Sequence, residues 1–169
     1  APTIIIFGFK RSAEDAPHDE RNILEVLRRA ASSAKQHGLT LAVENEPGFW
    51  CDTGTNTARM LAQIDLPNLR ANWDPCNAIG TKEIPYPQGY EAIKKWIVNV
   101  HVKDTSKGAT VSCVPIGAGK VDWRGQLQAL VRDRVVAHVT IETHCLPLLE
   151  NSRKNLETLR GLLAAAETF

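Results

Sequence analysis

The sequence predicts an α/β fold, a parallel (β/α)8 barrel represented by about five strand-helix units, on three observations. A short apolar segment rich in branched residues is followed by an amphipathic one five times along the chain. No glycine-rich phosphate loop follows the first such segment, where a dinucleotide-binding open sheet requires one: Phe7-Gly8-Phe9-Lys10 lacks the G-x-G-x-x-G spacing. Glu44, Asp74, His101 and Glu142 stand at the C-terminal ends of four successive candidate strands, the rim at which a barrel places its reactive groups. A closed barrel has about 250 residues in eight units, which leaves this pattern about three units short.

The first strand is expected in the β-branched and aromatic run Thr3 to Phe9, whose near-continuous apolarity predicts burial on both faces. A helix over Asp19 to His37 carries its apolar stripe on Ile23, Leu24, Leu27, Ala30, Ala31 and Ala34 and stops at Gly38. Further strands are expected at Leu39 to Val43, Leu69 to Trp73, Ile97 to Val102 and Val135 to Ile141. Helices are expected over Thr55 to Ile64, Gly89 to Lys95, Trp123 to Val131, with Asp122 as N-cap, and about Ser152 to Glu167. No internal repeat or linker divides the chain, so residues 1–169 are taken as a single domain.

Of the 169 residues 43% are hydrophobic and 23% charged, the balance of a globular domain with a real core. The formal net charge of +1 supplies no excess of cations for a phosphate backbone, so nucleic acid is not an expected partner. Neither an apolar run of about 20 residues nor a signal-peptide pattern is present, and a cytoplasmic location without membrane contact is the expectation. Cys51, Cys76, Cys113 and Cys145 are widely spaced without a C-x-x-C pair, which predicts reduced thiols rather than a zinc knuckle or disulfide scaffold. The opening Ala1-Pro2 and the single methionine, Met60, lead us to expect further sequence upstream, and a partial barrel to need either those missing N-terminal units or a self-association partner.

The candidate ligands are 30, 27 and 41 residues apart, each interval long enough for one strand-helix unit, so consecutive strands bring all four together. Three carboxylates converging in a partly dry pocket repel one another unless a cation neutralises them. Three oxygen donors and one imidazole suit one divalent metal ion, Mn²⁺ or Mg²⁺ first, with Co²⁺ or Zn²⁺ as further candidates. The bland alternative is four unrelated polar residues capping loops; their shared place at strand ends favours the set.

In order, LAVENEP, NWDPCNA, VNVHVKD, PIGAGKVDW and TIETH resemble the xylose isomerase-like TIM barrels, the sugar (phosphate) isomerase/epimerase superfamily that also contains endonuclease IV. The resemblance covers essentially the whole chain and begins near the family's fourth strand, which implies the C-terminal portion of an incomplete (β/α)8 TIM barrel. It implies that Glu44, Asp74, His101 and Glu142 are metal ligands and that Glu44 and Glu142 double as acid/base groups. Asn77 replaces a histidine that family epimerases often carry three residues after the aspartate, so the substrate contact implied there becomes an amide. Lys107 stands for a substrate-binding arginine, a point charge in place of a bidentate fork. The extra Asp-x-His of endonuclease IV-like members is absent, since the chain reads Val111-Ser112-Cys113-Val114 there, and DNA cleavage is therefore disfavoured.

Glu46 and His144 each lie two residues beyond a proposed ligand and share its face if the strand persists, so both are candidate substrate contacts. Asp104 is expected to anchor a loop, and Gly117 and Gly119 to permit a tight turn beside the site. Trp73 and Trp123 are expected in core or pocket wall, Cys76 and Cys145 as unreactive packing thiols, and His18, His37 and His138 away from the site. The chemistry expected is isomerisation or epimerisation of a small polyhydroxy carbonyl compound, a sugar or sugar phosphate, by metal-assisted proton transfer through an enediolate. A polyol dehydratase resembling inosose dehydratase, using the same site, and an inactive fragment are the competing readings.

Overall fold

The computed structural model describes residues 2–107 and 112–166. Five parallel strands form one curled sheet, β1 (Thr3–Phe7), β2 (Thr40–Glu44), β3 (Leu69–Trp73), β4 (Ile97–Val102) and β7 (Thr140–Ile141), lying side by side in that order. Helices α1 (Pro17–Gln36), α2 (Gly54–Ile64), α5 (Trp123–Asp133) and α6 (Leu148–Ala166) separate or follow the strands. The short helices α3 (Pro75–Ile79) and α4 (Tyr90–Ile93) lie between β3 and β4. A small antiparallel pair, β5 (Asp104–Thr105) and β6 (Cys113–Val114), stands beyond the end of β4. The result is an incomplete TIM barrel.

The registers place the inward-facing side chains in rows. Phe7 pairs with Glu44 and Glu44 with Asn72. A shift between Ala71 and Asn72 brings Asn72 opposite Asn99, and His101 pairs with Thr140. Because side chains alternate across a strand, Asn72 shares a face with Asp74, Asn99 with His101 and Lys103, and Thr140 with Glu142. The opposite face meets the helices in an apolar layer that includes Leu24, Leu27, Leu41, Val43, Leu61 and Ala71. Full burial of each leucine there contributes about 1.5–3 kcal/mol.

Most elements fall within three residues of the sequence expectation, and Leu69–Trp73 and Ile97–Val102 coincide with it. Asp122 caps α5 as expected, its carboxylate accepting from the Gly125 amide at 2.9 Å. Three differences have physical causes. Among the described residues the first strand has a partner on one side alone, so its apolar run is open, with Phe7 55% exposed, rather than buried on both faces. The last strand shrinks from the expected Val135 to Ile141 to Thr140–Ile141, because those residues alone pair with β4; Val135, Val136 and Val139 pack as loop against the core. The final helix starts at Leu148 rather than about Ser152.

Asp133 at the end of α5 holds the outer layer together. Its carboxylate accepts from Arg132 Nε at 2.7 Å, Tyr90 Oη at 2.9 Å and Lys94 Nζ at 3.0 Å. The Arg132 hydrogen bond foremost, with help from Lys94 and Tyr90, depresses the Asp133 carboxyl well below the usual range despite partial burial. A depressed carboxyl stabilises the folded state above its unfolded pKa of about 3.9 and loses that contribution as pH falls toward the folded value. Asp133→Asn is therefore expected to lower Tm by a few degrees at pH 7, with a deficit that shrinks as pH falls from about 4 toward 2; an equal deficit at pH 7 and pH 2 would refute the assignment.

Candidate metal centre

The four candidate ligands do converge. Glu44, Asp74, His101 and Glu142 each present a donor atom, and these atoms all lie within 4.8 Å of one another. Glu44 closes β2, Asp74 follows β3 as the N-cap of α3, His101 belongs to β4, and Glu142 follows β7. The parallel registers bring these strand ends to a single rim, so residues remote in the chain become neighbours.

Asp74 is held from behind. Asp74 is fully buried; its Oδ1 accepts from the Asn77 amide at 3.0 Å. The Asn45 side chain grips the Asp74 backbone twice, donating to its carbonyl and accepting from its amide, both at 2.8 Å. His101 Nδ1 lies 3.2 Å from Glu44 Oε1 and 3.5 Å from Glu142 Oε2. Burial on its own disfavours the imidazolium, but Glu142 and Glu44 more than offset it and raise His101 to about 9. Burial is also the main reason that Asp74 is raised to about 6, against the opposing pull of Lys103.

Lys103 is the member of this site that the sequence reading did not single out. Its side chain is 3% exposed, and Nζ makes ion pairs with Asp74 Oδ2 at 2.8 Å and Glu142 Oε2 at 2.6 Å. The signal was available: Lys103 lies two residues beyond His101, the same spacing that selected Glu46 and His144. Burial resists ionisation of Glu142, yet hydrogen bonds from His101 and Lys103 dominate and hold its carboxyl far below the usual range.

Above the cluster opens a cavity of about 290 Å³ lined by Phe7, Glu44, Glu46, Phe49, Lys103, Glu142 and His144. Glu46 and His144 therefore sit in its wall, with His144 Nε2 3.3 Å from Glu142 Oε1. Asn77 is buried behind the wall; its Nδ2 donates to Glu46 Oε2 and to the Asn45 carbonyl, both at 2.8 Å. Lys107 stands exposed in the turn after β5, outside the lining of this cavity. The aromatic surface is Phe7 and Phe49, ring centroids 6.2 Å apart, rather than either tryptophan. Trp73 and Trp123 are core residues whose indole NH groups donate to Gln126 Oε1 and the Lys103 carbonyl.

Asp104 anchors the adjacent loop. Its carboxylate accepts from the amides of Thr105, Gly117, Gly119 and Val121 at 2.9–3.2 Å. Gly117 has φ +85°, and a Cβ on Gly119 would come within 2.1 Å of Asp104 Oδ1, so both glycines are required by this wrapping. These loop amides are thus committed to an internal carboxylate.

The donor set fits a divalent cation. An ion with ligand bonds of about 2.1 Å spans about 4.2 Å between opposite donors, so a set within 4.8 Å needs to close by only tenths of an ångström. The sequence profile described as "Xylose isomerase-like TIM barrel" matches residues 1–162.

The chain belongs to the xylose isomerase-like TIM barrel family.

Among individual relatives, a 3-dehydroshikimate dehydratase of Bacillus anthracis is 25% identical over 99 residues, covering 59% of this chain and 35% of that protein. The solved structure of a D-tagatose 3-epimerase-like protein superposes with a TM-score of 0.83 at 18% identity, covering 99% of this chain and 64% of the other. A xylose isomerase-like TIM barrel protein of Mycobacterium smegmatis, solved in complex with magnesium, superposes with a TM-score of 0.74 at 17% identity, covering 94% of this chain and 55% of its own. The chain thus spans less than two thirds of the length of each. The proteins it resembles carry the names of epimerases and a dehydratase, and no described helix of this chain is long and apolar enough to cross a membrane.

Proposed function

We propose that the protein is a metal-dependent enzyme of the isomerase/epimerase kind, acting on a small polyhydroxy carbonyl compound, a sugar or sugar phosphate, in the cytoplasm. The observation that carries this reading is the convergence of Glu44, Asp74, His101 and Glu142 beside an open cavity that Glu44 and Glu142 help to line. Those four residues hold the cation, Mn²⁺ or Mg²⁺ by the hardness of the donor set. When bound, the cation neutralises the clustered carboxylates and polarises a substrate carbonyl, which acidifies the neighbouring C–H.

The chain's own residues do the rest. Glu142, 32% exposed at the side chain, lines the cavity and is placed to take the α-proton. The proton held by Glu142 is then returned to the enediolate at the neighbouring carbon, while Glu44, which also lines the cavity, would hold the cation as an ionised carboxylate. Glu46, His144 and Lys103 offer hydrogen bonds to substrate oxygens, while Phe7 and Phe49 cover a carbon face.

The test is exchange with solvent. Incubated with Mn²⁺ and a panel of ketoses and ketose phosphates in heavy water, the protein is expected to place deuterium at the carbon next to the carbonyl. The Glu142→Gln variant is expected not to. No metal-dependent incorporation with any member of the panel would remove the isomerase reading.

The similarity to the Bacillus anthracis enzyme favours a second reading, dehydration of a cyclic hydroxy-ketone on the same residues. Proton removal by Glu142 is then followed by loss of a β-hydroxyl rather than reprotonation. Incubation with 3-dehydroshikimate separates the two: release of a newly conjugated product, seen by ultraviolet absorbance, supports dehydration, and recovery of deuterated starting material supports epimerisation.

A further inference from the structure

We propose that Asn72 and Asn99 form a directional hydrogen-bond relay that dedicates a single oxygen of Glu44, Oε1, to the cation. The inference rests on the cation-binding reading of the four side chains. Along the row of inward-facing residues beneath the rim, Thr140 Oγ1 donates to Asn99 Oδ1 at 3.0 Å. Asn99 Nδ2 donates to Asn72 Oδ1 at 2.7 Å, and Asn72 Nδ2 to Glu44 Oε2 at 2.9 Å. The relay therefore crosses four adjacent strands, β7, β4, β3 and β2, and both asparagines are buried.

Its direction follows from chemistry. A carboxylate only accepts, so Asn72 must turn its NH₂ toward Glu44 and its oxygen away. That oxygen needs a donor, which Asn99 supplies; the Asn99 oxygen needs one in turn, which the Thr140 hydroxyl supplies. Removing Asn99 leaves the Asn72 oxygen without its partner and frees the amide to turn over, which would set an oxygen against Glu44 Oε2. With Oε2 committed, Oε1 is the atom 3.2 Å from His101 Nδ1, and its one other partner among the described residues is the Asn77 side-chain amide, a longer contact at 3.4 Å. Glu44 accordingly binds through one oxygen, and the residue two strands away decides which.

Calorimetric titration with Mn²⁺ tests the relay without reference to turnover. Asn72→Leu is expected to weaken binding by about 10–100-fold and Asn99→Leu by about tenfold, the range found when groups that orient a ligand are removed. Since Asn99 acts through Asn72, the double variant should bind no worse than Asn72→Leu alone. Losses that multiply in the double variant, or unaltered binding by Asn99→Leu, would overturn the relay, because a merely structural role gives independent losses. If the asparagine variants do not fold, the strand-end pair decides: Thr140→Val should weaken Mn²⁺ about threefold and Thr140→Ser restore it, and equal binding by all three proteins would overturn the proposal. Failure of the unaltered protein to bind Mn²⁺ removes the cation reading and the relay with it, whereas binding with multiplying losses removes the relay alone.

Discussion

Lys103→Met is expected to cost about 3–5 kcal/mol of stability in the metal-free protein, the penalty of stripping a buried charge of its partner. Lys103 is the cation within 2.8 Å of Asp74, whose side chain is fully enclosed, and its loss leaves three carboxylates facing one imidazole. At this chain length the deficit corresponds to a fall in Tm on the order of 10 °C. The variant should also become dependent on divalent metal, with Mn²⁺ raising its Tm more than that of the parent, because a bound cation replaces the lost charge and stabilises by mass action. Thermal melts in chelator and in excess Mn²⁺ measure both quantities. A melting temperature unaltered in chelator would show that Lys103 does not balance Asp74.

Glu142→Gln is expected to reduce turnover by about 10²–10⁴-fold, the contribution of a positioned general base. The amide keeps the volume and can still accept from Lys103, so the fold should persist. It cannot take a proton, and as a neutral donor it also weakens the cation site. Measuring the rate at saturating Mn²⁺ separates the two losses: excess metal repairs occupancy but not chemistry. Full recovery of rate at high Mn²⁺ would reduce Glu142 to a ligand and shift the base to Glu44 or Glu46.

The parallel sheet was legible because each strand announces itself through a branched apolar run with a helix behind it. The cluster was legible for the same reason: once four parallel strands are placed, their last polar residues must share a rim. Less legible was anything that depends on neighbours outside the local pattern. The run Thr3 to Phe7 has the composition of a doubly covered strand, but composition cannot say that one side has no partner among the described residues. Val135 to Val139 has strand propensity, yet pairing extends over Thr140 and Ile141 alone. Lys103 was passed over because lysine ordinarily reads as a solvated surface residue. Its alternation with His101 and Asn99 carried the information, and the same alternation places Asn72 beneath Asp74. Phe7 and Phe49, far apart in the chain, could be recognised as a cavity wall only from the fold.

The clasp made by Asp104 has a practical consequence for engineering. Four amides gathered on one carboxylate tie both roots of the β5–β6 hairpin to the barrel wall next to Lys103. A graft between those roots is thereby mechanically decoupled from the centre, so foreign sequence could be installed there to recruit new substrates while the reactive geometry stays where the strands put it.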